Sequence, residues 1–354
     1  MNLLSATKKI PESVDALLIV SPENRFYFTD FPSSDGVLLV TANGGYFFTD
    51  SRYLEAAQKT VSSCEVKNVI NFSEDLKAIC SQNNIKRLGI EASRMTVREL
   101  RRYREILPDV EIADGSETDE MINSLREVKS SSELKLIKKA QKIAESAFEH
   151  ILGFIKPGVS EKEIALELDY YMLRNGADAI SFETIAVSGA KSSMPHGVPD
   201  ENKVQYGDFV TMDFGAVVSG YHSDMTRTVA VGQVSDKQRF VYNTVLDAQK
   251  TALEILAPEV PCKTADAAAR DVITKAGFGA YFGHSTGHGV GVEIHEMPNL
   301  SPKSEQILSK GNVVTVEPGI YLPNEFGVRI EDMAVITDSG CENLTSVTKE
   351  LIVL

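Results

Sequence analysis

The chain has no tryptophan, few cysteines, no basic run and no long apolar stretch, and each absence narrows its function. No apolar run approaches the roughly 18–20 residues that a membrane-spanning helix needs. Cys64, Cys80, Cys262 and Cys341 are scattered without a CxxC pair, so buried thiols in a reducing cytoplasm are expected. The first twenty residues, MNLLSATKKIPESVDALLIV, lack an apolar core followed by a small-residue cleavage site, so no secretory signal is expected. The net charge of −14 argues against nucleic acid or an anionic membrane as partner. The HExxH of single-zinc proteases is missing too. Asp213-Phe-Gly resembles a kinase triplet but lacks a glycine-rich phosphate loop and an HRD. Ser285 lies near two histidines without a nucleophile-elbow GxSxG.

A chain of 354 residues with 43% hydrophobic content can bury a full core and divides most naturally into two domains. Residues 1–118 alternate short strand and helix signals. Ala16–Val20, Gly36–Thr41 and Gly45–Thr49 read as strands, Arg52–Val61 and Thr96–Leu107 as helices, and 108–117 as the last strand and exit. This small α/β domain holds no catalytic cluster. Residues 119–130 read as a linker to a larger domain over 131–354.

In the larger domain Ser131 or Ser132 can cap a helix that Lys156-Pro157-Gly158 stops. Ser160 to Glu163 forms a capping box for a second helix ending near Asn175-Gly176. Strands follow to about Val231. Ser235-Asp236 then opens a helix through Leu256, Thr264 to Asp266 opens another, and strands complete the chain. Helix, helix, strands occurs twice, without a residue-level repeat, which implies a pseudo-symmetric α/β domain around a central site.

That site is indicated by five metal-ligand residues: Asp213 in TMDFGA, Asp224 in HSDMTRT, His288 in GHSTGHGVGVEIHE, Glu317 in TVEPGIY and Glu331 in VRIED. Four carboxylates and one imidazole offset the charge of two divalent cations. If Val218-Ser219 is a two-residue loop, the ladder pairs Val217 with Gly220 and Asp213 with Asp224. Like charges so opposed repel unless a cation lies between them. Glu317 and Glu331 flank the turn-rich Pro323–Gly327 almost symmetrically and repeat the device.

Five of the six histidines fall between positions 196 and 295. Strict strand alternation would put His288 and His295 on opposite faces, so both reach one site only if the glycine-rich stretch bends or bulges. His196 sits on the proline-bracketed loop Met-Pro-His-Gly-Val-Pro, suited to presenting a side chain. His222 reads as a surface or supporting residue. Arg329, two residues before Glu331, should point to the same strand face, either pairing with a carboxylate or contacting substrate.

The ordered set DFG, SDMTRT, HSTGHGVGVEIHE, TVEPGIY and VRIED resembles the pita-bread metallopeptidases, the Xaa-Pro aminopeptidases and prolidases. The likeness is strongest from about Phe182 to Leu354. It extends to the first domain through Phe26-Tyr-Phe-Thr-Asp and Thr49-Asp-Ser-Arg-Tyr. It implies a creatinase-like N-terminal α/β domain followed by a pseudo-symmetric pita-bread catalytic domain, assembled as a homodimer. It also implies two divalent cations, Mn²⁺ by preference, with Co²⁺, Fe²⁺ or Zn²⁺ as alternatives. Asp213 would be the terminal bidentate ligand, Asp224 and Glu331 would bridge both ions, and His288 and Glu317 would hold the second. The implied reaction is attack of a metal-bridging hydroxide on the bond between an N-terminal residue and proline. Glu317 would carry the proton, while His196, His295, Arg329 and Tyr321 would contact substrate or support the site.

A methionyl-type or broader aminopeptidase would share the five ligands but usually lacks the first domain. Metal-free hydrolases or non-catalytic binding proteins of this fold would be expected to lose ligands, and none is lost here. Prolidases restricted to dipeptides often hold the proline carboxylate with an arginine upstream of the EPG strand. This chain has Lys303 and Lys310 there instead, leaving both dipeptides and longer Xaa-Pro-Yaa peptides as substrates.

Overall fold

The structure is a computed structural model describing residues 2–354. The chain forms two compact units, Met1–Arg126 and Glu127–Leu354. In chain order the first unit runs α1 (Asn2–Lys8), β1 (Ala16–Ile19), α2 (Pro22–Thr29), β2 (Val37–Thr41) and β3 (Gly44–Thr49). It continues with α3 (Leu54–Thr60), β4 (Glu65–Asn68), α4 (Phe72–Gln82), β5 (Arg87–Ile90), α5 (Val97–Ile106), β6 (Glu111–Ala113) and α6 (Glu117–Glu127). Its mixed sheet has the order β4-β3-β2-β1-β5-β6, with Leu18, Leu39, Phe48, Leu76 and Ile90 in the core. Four helices, α1, α2, α4 and α6, were not read from the sequence. Helix α6 covers most of the stretch 119–130 expected as a linker. Met121 and Ile122 are buried apolar residues on that helix, which is why the segment folds instead of bridging.

The second unit begins with α7 (Ser131–Ile151) and α8 (Glu161–Arg174), followed by β7 (Ala179–Ile180) and β8 (Ile185–Ser188). Next come β9 (Phe209–Phe214), β10 (Ala216–Val218), β11 (Tyr221–His222) and β12 (Met225–Ala230). Helices α9 (Asp236–Ile255) and α10 (Cys262–Lys275) lead to β13 (Gly287–Gly289), β14 (Glu296–Leu300) and β15 (Val313–Val316). The unit closes with β16 (Gly319–Leu322), β17 (Phe326–Arg329), β18 (Asp332–Ile336) and β19 (Cys341–Asn343).

Ser130, rather than Ser131 or Ser132, caps α7, because only Ser130 has a glutamate, Glu133, three residues on to complete the box. The boxes Ser160–Glu163 and Ser235–Gln238 open α8 and α9. Helix α10 begins earlier than Thr264. Asp266 lies inside it, with its carboxylate committed to Arg270 and Thr286.

Two helix-backed halves result. Phe148, Ile164 and Leu168 of α7 and α8 share one core with Met212 and Phe214 of β9. Val245 and Ala248 of α9 and Ala269 of α10 share another with Val314, Ile320 and Val328. The expected pseudo-symmetric layout is present, and its strands carry the acids to the middle.

The β10–β11 turn corrects the anticipated register. Val218 pairs Tyr221 and Val217 pairs His222, so the loop is Ser219-Gly220, one residue later than expected. Both residues have positive φ, 47° and 77°, the conformation of a type I′ turn, which a Ser-Gly pair tolerates better than Val-Ser. Moving the turn by one residue moves each partner by two, so Asp213 lies opposite Thr226 instead of Asp224. A shift of two keeps each side chain on its face. Asp213 and Asp224 therefore still face together, as diagonal neighbours.

Candidate metal centre

The second acid pair comes from the other half. The ladders β15–β18 and β16–β17 share one register, broken at Glu317-Pro318 and Ile330-Glu331, which leaves Glu317 and Glu331 opposed across the break. The break matters: it releases both residues from a flat strand, and their side chains enter the cavity.

The histidine stretch bends as required. The β13–β14 pairing shifts register between Gly287 and Gly289, and residues 290–295 leave the strand. His288 and His295 consequently approach with ring centroids 4.3 Å apart.

A cavity of about 430 Å³ receives all five expected ligands together with His196, His295 and Arg329. Asp224, His288 and Glu331 form a cluster whose donor atoms lie within 4.8 Å of one another. His288 Nε2 is 3.4 Å from Glu317 Oε1 and 3.6 Å from Asp224 Oδ2. Two ligands bound at about 2.1 Å to one cation sit at roughly this separation.

The imidazole is prepared for that role. His288 Nδ1 lies 3.0 Å from Gly289 O, and a carbonyl can only accept, so Nδ1 carries the hydrogen and Nε2 keeps its lone pair. Burial lowers its pKa to about 4, leaving the ring neutral.

The acids show complementary signs. Asp213 Oδ1 and Asp224 Oδ1 are buried without a hydrogen-bond partner, an arrangement that is costly unless a cation answers them. Burial raises the pKa of Asp224, with the charges of Glu331, Asp213 and Glu317 adding to it. Glu331 rises for the same two reasons, and burial pushes Glu317 up to about 8. This donor set, oxygen-rich with one imidazole, fits divalent cations.

Supporting groups orient Asp213, Glu317 and Glu331. Thr226 Oγ1 donates to Glu331 Oε2 at 2.7 Å, and Thr315 Oγ1 donates to Glu317 Oε1 at 3.2 Å. Arg329 Nη2 pairs with Asp213 Oδ2 at 2.6 Å, Nε donates to Thr226 Oγ1, and Nη1 donates to Tyr321 Oη and to Pro195 O. Tyr321 does not line the cavity. Its buried hydroxyl, pushed up to about 12 by burial, links Arg329 to His284 Nε2 at 2.9 Å.

His284, which lines the cavity, was missed in the sequence along with Thr226 and Thr315. For the two threonines the only signal was strand position relative to the ligands, while His284 lies on the loop before β13. His222 is outside the cavity and bonds Ser181 Oγ through Nδ1 at 2.8 Å. Lys303 and Lys310 are not on the wall, and Lys310 pairs with Asp338.

Fold and site together define a metal-dependent hydrolase whose two similar halves converge on one acidic centre. Comparison with known proteins agrees. The profile of metallopeptidase family M24 matches residues 135–338, and that of the creatinase/prolidase N-terminal domain matches residues 10–128. An uncharacterized peptidase of Bacillus subtilis is 46% identical over 345 residues, 96% of each chain. A solved Xaa-Pro dipeptidase from Bacillus anthracis is 42% identical with a TM-score of 0.94, covering 100% of this chain and 98% of that one. A solved X-Pro aminopeptidase from Thermotoga maritima is 37% identical with a TM-score of 0.89, covering 96% and 98% respectively. The chain belongs to metallopeptidase family M24.

Proposed function

We propose that this enzyme hydrolyses the bond between an N-terminal residue and proline, with two divalent cations, Mn²⁺ foremost, held by Asp213, Asp224, His288, Glu317 and Glu331. The convergence of those five side chains, with two buried carboxylate oxygens otherwise unpaired, carries the reading. When bound, the cations supply Lewis acidity, polarising the scissile carbonyl and making water nucleophilic at neutral pH. The Glu317 carboxylate moves a proton from the attacking water to the prolyl nitrogen. His196 and His295, both on the cavity wall, donate hydrogen bonds to the carbonyl oxygen and the leaving group. Arg329 acts through Asp213: it holds Oδ2 beside the unpartnered Oδ1 and so orients the carboxylate toward a cation. Tyr321 holds Arg329 in turn.

The same inventory favours peptides longer than two residues. Among the described residues lining the cavity, Arg329 is the only lysine or arginine, and its guanidinium is already bonded to four neighbours. A free proline carboxylate would have no unpaired lysine or arginine to meet it. The reading extends to a homodimer in a reducing cytoplasm, which the four unbridged cysteines suit. Release of the N-terminal residue from Leu-Pro, Leu-Pro-Ala and Leu-Ala-Ala by the Mn²⁺-loaded enzyme tests this. Leu-Pro-Ala should be the best substrate. Equal cleavage of Leu-Ala-Ala would remove proline specificity, and cleavage of Leu-Pro alone would restore the dipeptidase reading.

A further inference from the structure

The strand pairings on either side of Ser181–Thr184 do not share a register. Ile180 pairs Ala216, and the Ser181 N–H donates to Gly215 O at 2.8 Å, whereas Ile185 pairs Asp213. Four steps of this strand therefore span two steps of its partner, and the surplus residues bow outward. A bulge of this kind re-aims side chains. Here it puts Phe182, Glu183 and Thr184 on the cavity wall beside Asp213.

The bowed segment is tied at both ends. Ser181 Oγ bonds His222, and Thr184 Oγ1 donates to Asp169 Oδ1 at 2.5 Å. Gly215, on the partner strand, has no room for a Cβ, which would meet Ser223 O at 1.9 Å and Ser181 Cβ at 2.9 Å. The backbone that presents Glu183 is thus fixed, while the Glu183 side chain is exposed and, among the described residues, has no hydrogen-bond or ion-pair partner.

Charge on the wall is otherwise committed. Four of the remaining acids belong to the metal centre, and Arg329 is paired with Asp213. Glu183 is the one acid or guanidinium left, and the apolar Phe182 and Ile185 of the same segment also line the wall. An acid with apolar groups on the same wall matches a side chain with an aliphatic stem and a cationic tip.

We propose that Glu183 is a specificity-determining residue that favours lysine or arginine immediately before proline. The inference rests on the Xaa-Pro reading above. The N-terminal residue is the assigned position because it is the one variable side chain that every such substrate brings into the cavity.

The test compares kcat/KM of the Mn²⁺-loaded enzyme for Lys-Pro-Ala, norleucine-Pro-Ala, Glu-Pro-Ala and Ala-Pro-Lys. Norleucine keeps the stem and the α-ammonium and removes only the tip. An exposed charge pair should favour lysine over norleucine by about two- to fivefold, and added salt should shrink the ratio. Glu183→Gln should bring that ratio to unity, and Glu183→Lys should turn the preference toward Glu-Pro-Ala. An unchanged lysine-to-norleucine ratio in Glu183→Gln would overturn the proposal. So would an equal loss on all four peptides, which would place Glu183 on the α-ammonium, or a preference confined to Ala-Pro-Lys. Failure to cut any of the four peptides would instead sink the proposed function along with it.

Discussion

Four of the five proposed ligands have one oxygen or nitrogen fixed by a neighbour and another left for the cavity. Asp213 gives Oδ2 to Arg329, Glu331 gives Oε2 to Thr226, and His288 gives Nδ1–H to Gly289. Replacing a ligand and replacing its holder should therefore differ in kind. Asp224→Ala or Glu331→Ala should abolish hydrolysis and lower bound metal, read by elemental analysis. His196→Ala should lower kcat with metal content unchanged; loss of metal would make His196 a ligand. Arg329→Met should weaken metal binding roughly 10–100-fold, as loss of a ligand's hydrogen-bonding support does, and excess Mn²⁺ should rescue much of the activity. Failure of that rescue would mean that Arg329 touches substrate. The five proposed ligands were legible as a cluster because acids and imidazole stand out in short, strand-like contexts. His284, Thr226 and Thr315 were not, since a threonine in a strand carries no sign of which carboxylate lies beside it.

Hairpins and bends turn those side chains into a site. Glu317 and Glu331 could be paired from sequence because the turn between them is symmetric and rich in breakers. The Ser219-Gly220 turn was misplaced by one residue, because Val-Ser and Ser-Gly differ only in their tolerance of positive φ. The bend that brings His295 to His288 was required by parity but not located. Its anchor is a buried ion pair: Lys129 Nζ meets Glu296 Oε1 at 2.5 Å with both side chains almost fully enclosed, 1% and 6% exposed. Glu296 follows His295 directly and begins β14. Lys129→Met removes the cation that compensates that buried carboxylate and should destabilise the fold by up to about 3–5 kcal/mol, whereas Lys129→Met with Glu296→Gln should recover much of the loss. Denaturant midpoints for the three proteins measure this. No recovery in the double variant would show that the pair's worth lies elsewhere than in charge compensation.

For the molecule as a whole, the two helix-backed halves meet at a cluster of acids that repel one another. Asp213 and Asp224 come from one half, and Glu317 and Glu331 from the other, so cations bound between them would join the halves as well as activate water. Saturating Mn²⁺ at about 100 times its dissociation constant should add roughly 2.7 kcal/mol of stability. In the chelated protein the sign of the pH effect follows from Glu317. Its folded pKa, pushed to about 8 by burial, lies above the ordinary carboxylate value of 4.5, so the folded chain holds a proton that the unfolded chain releases. That stabilisation is complete below the unfolded value and disappears as pH rises through about 8. Asp224 and Glu331, raised by burial and by their acidic neighbours, act in the same direction. Chelated enzyme should therefore melt at progressively lower temperature from pH 5 to pH 9. The Mn²⁺-loaded enzyme, whose carboxylates are already ionised by their cations, should change little over that range, and the gain from metal should widen with pH. Calorimetric scans of both forms across the range decide it: parallel curves would mean that the acids are not crowded together in the chelated fold, and the convergence of the two halves on one cation-dependent centre would fall with them.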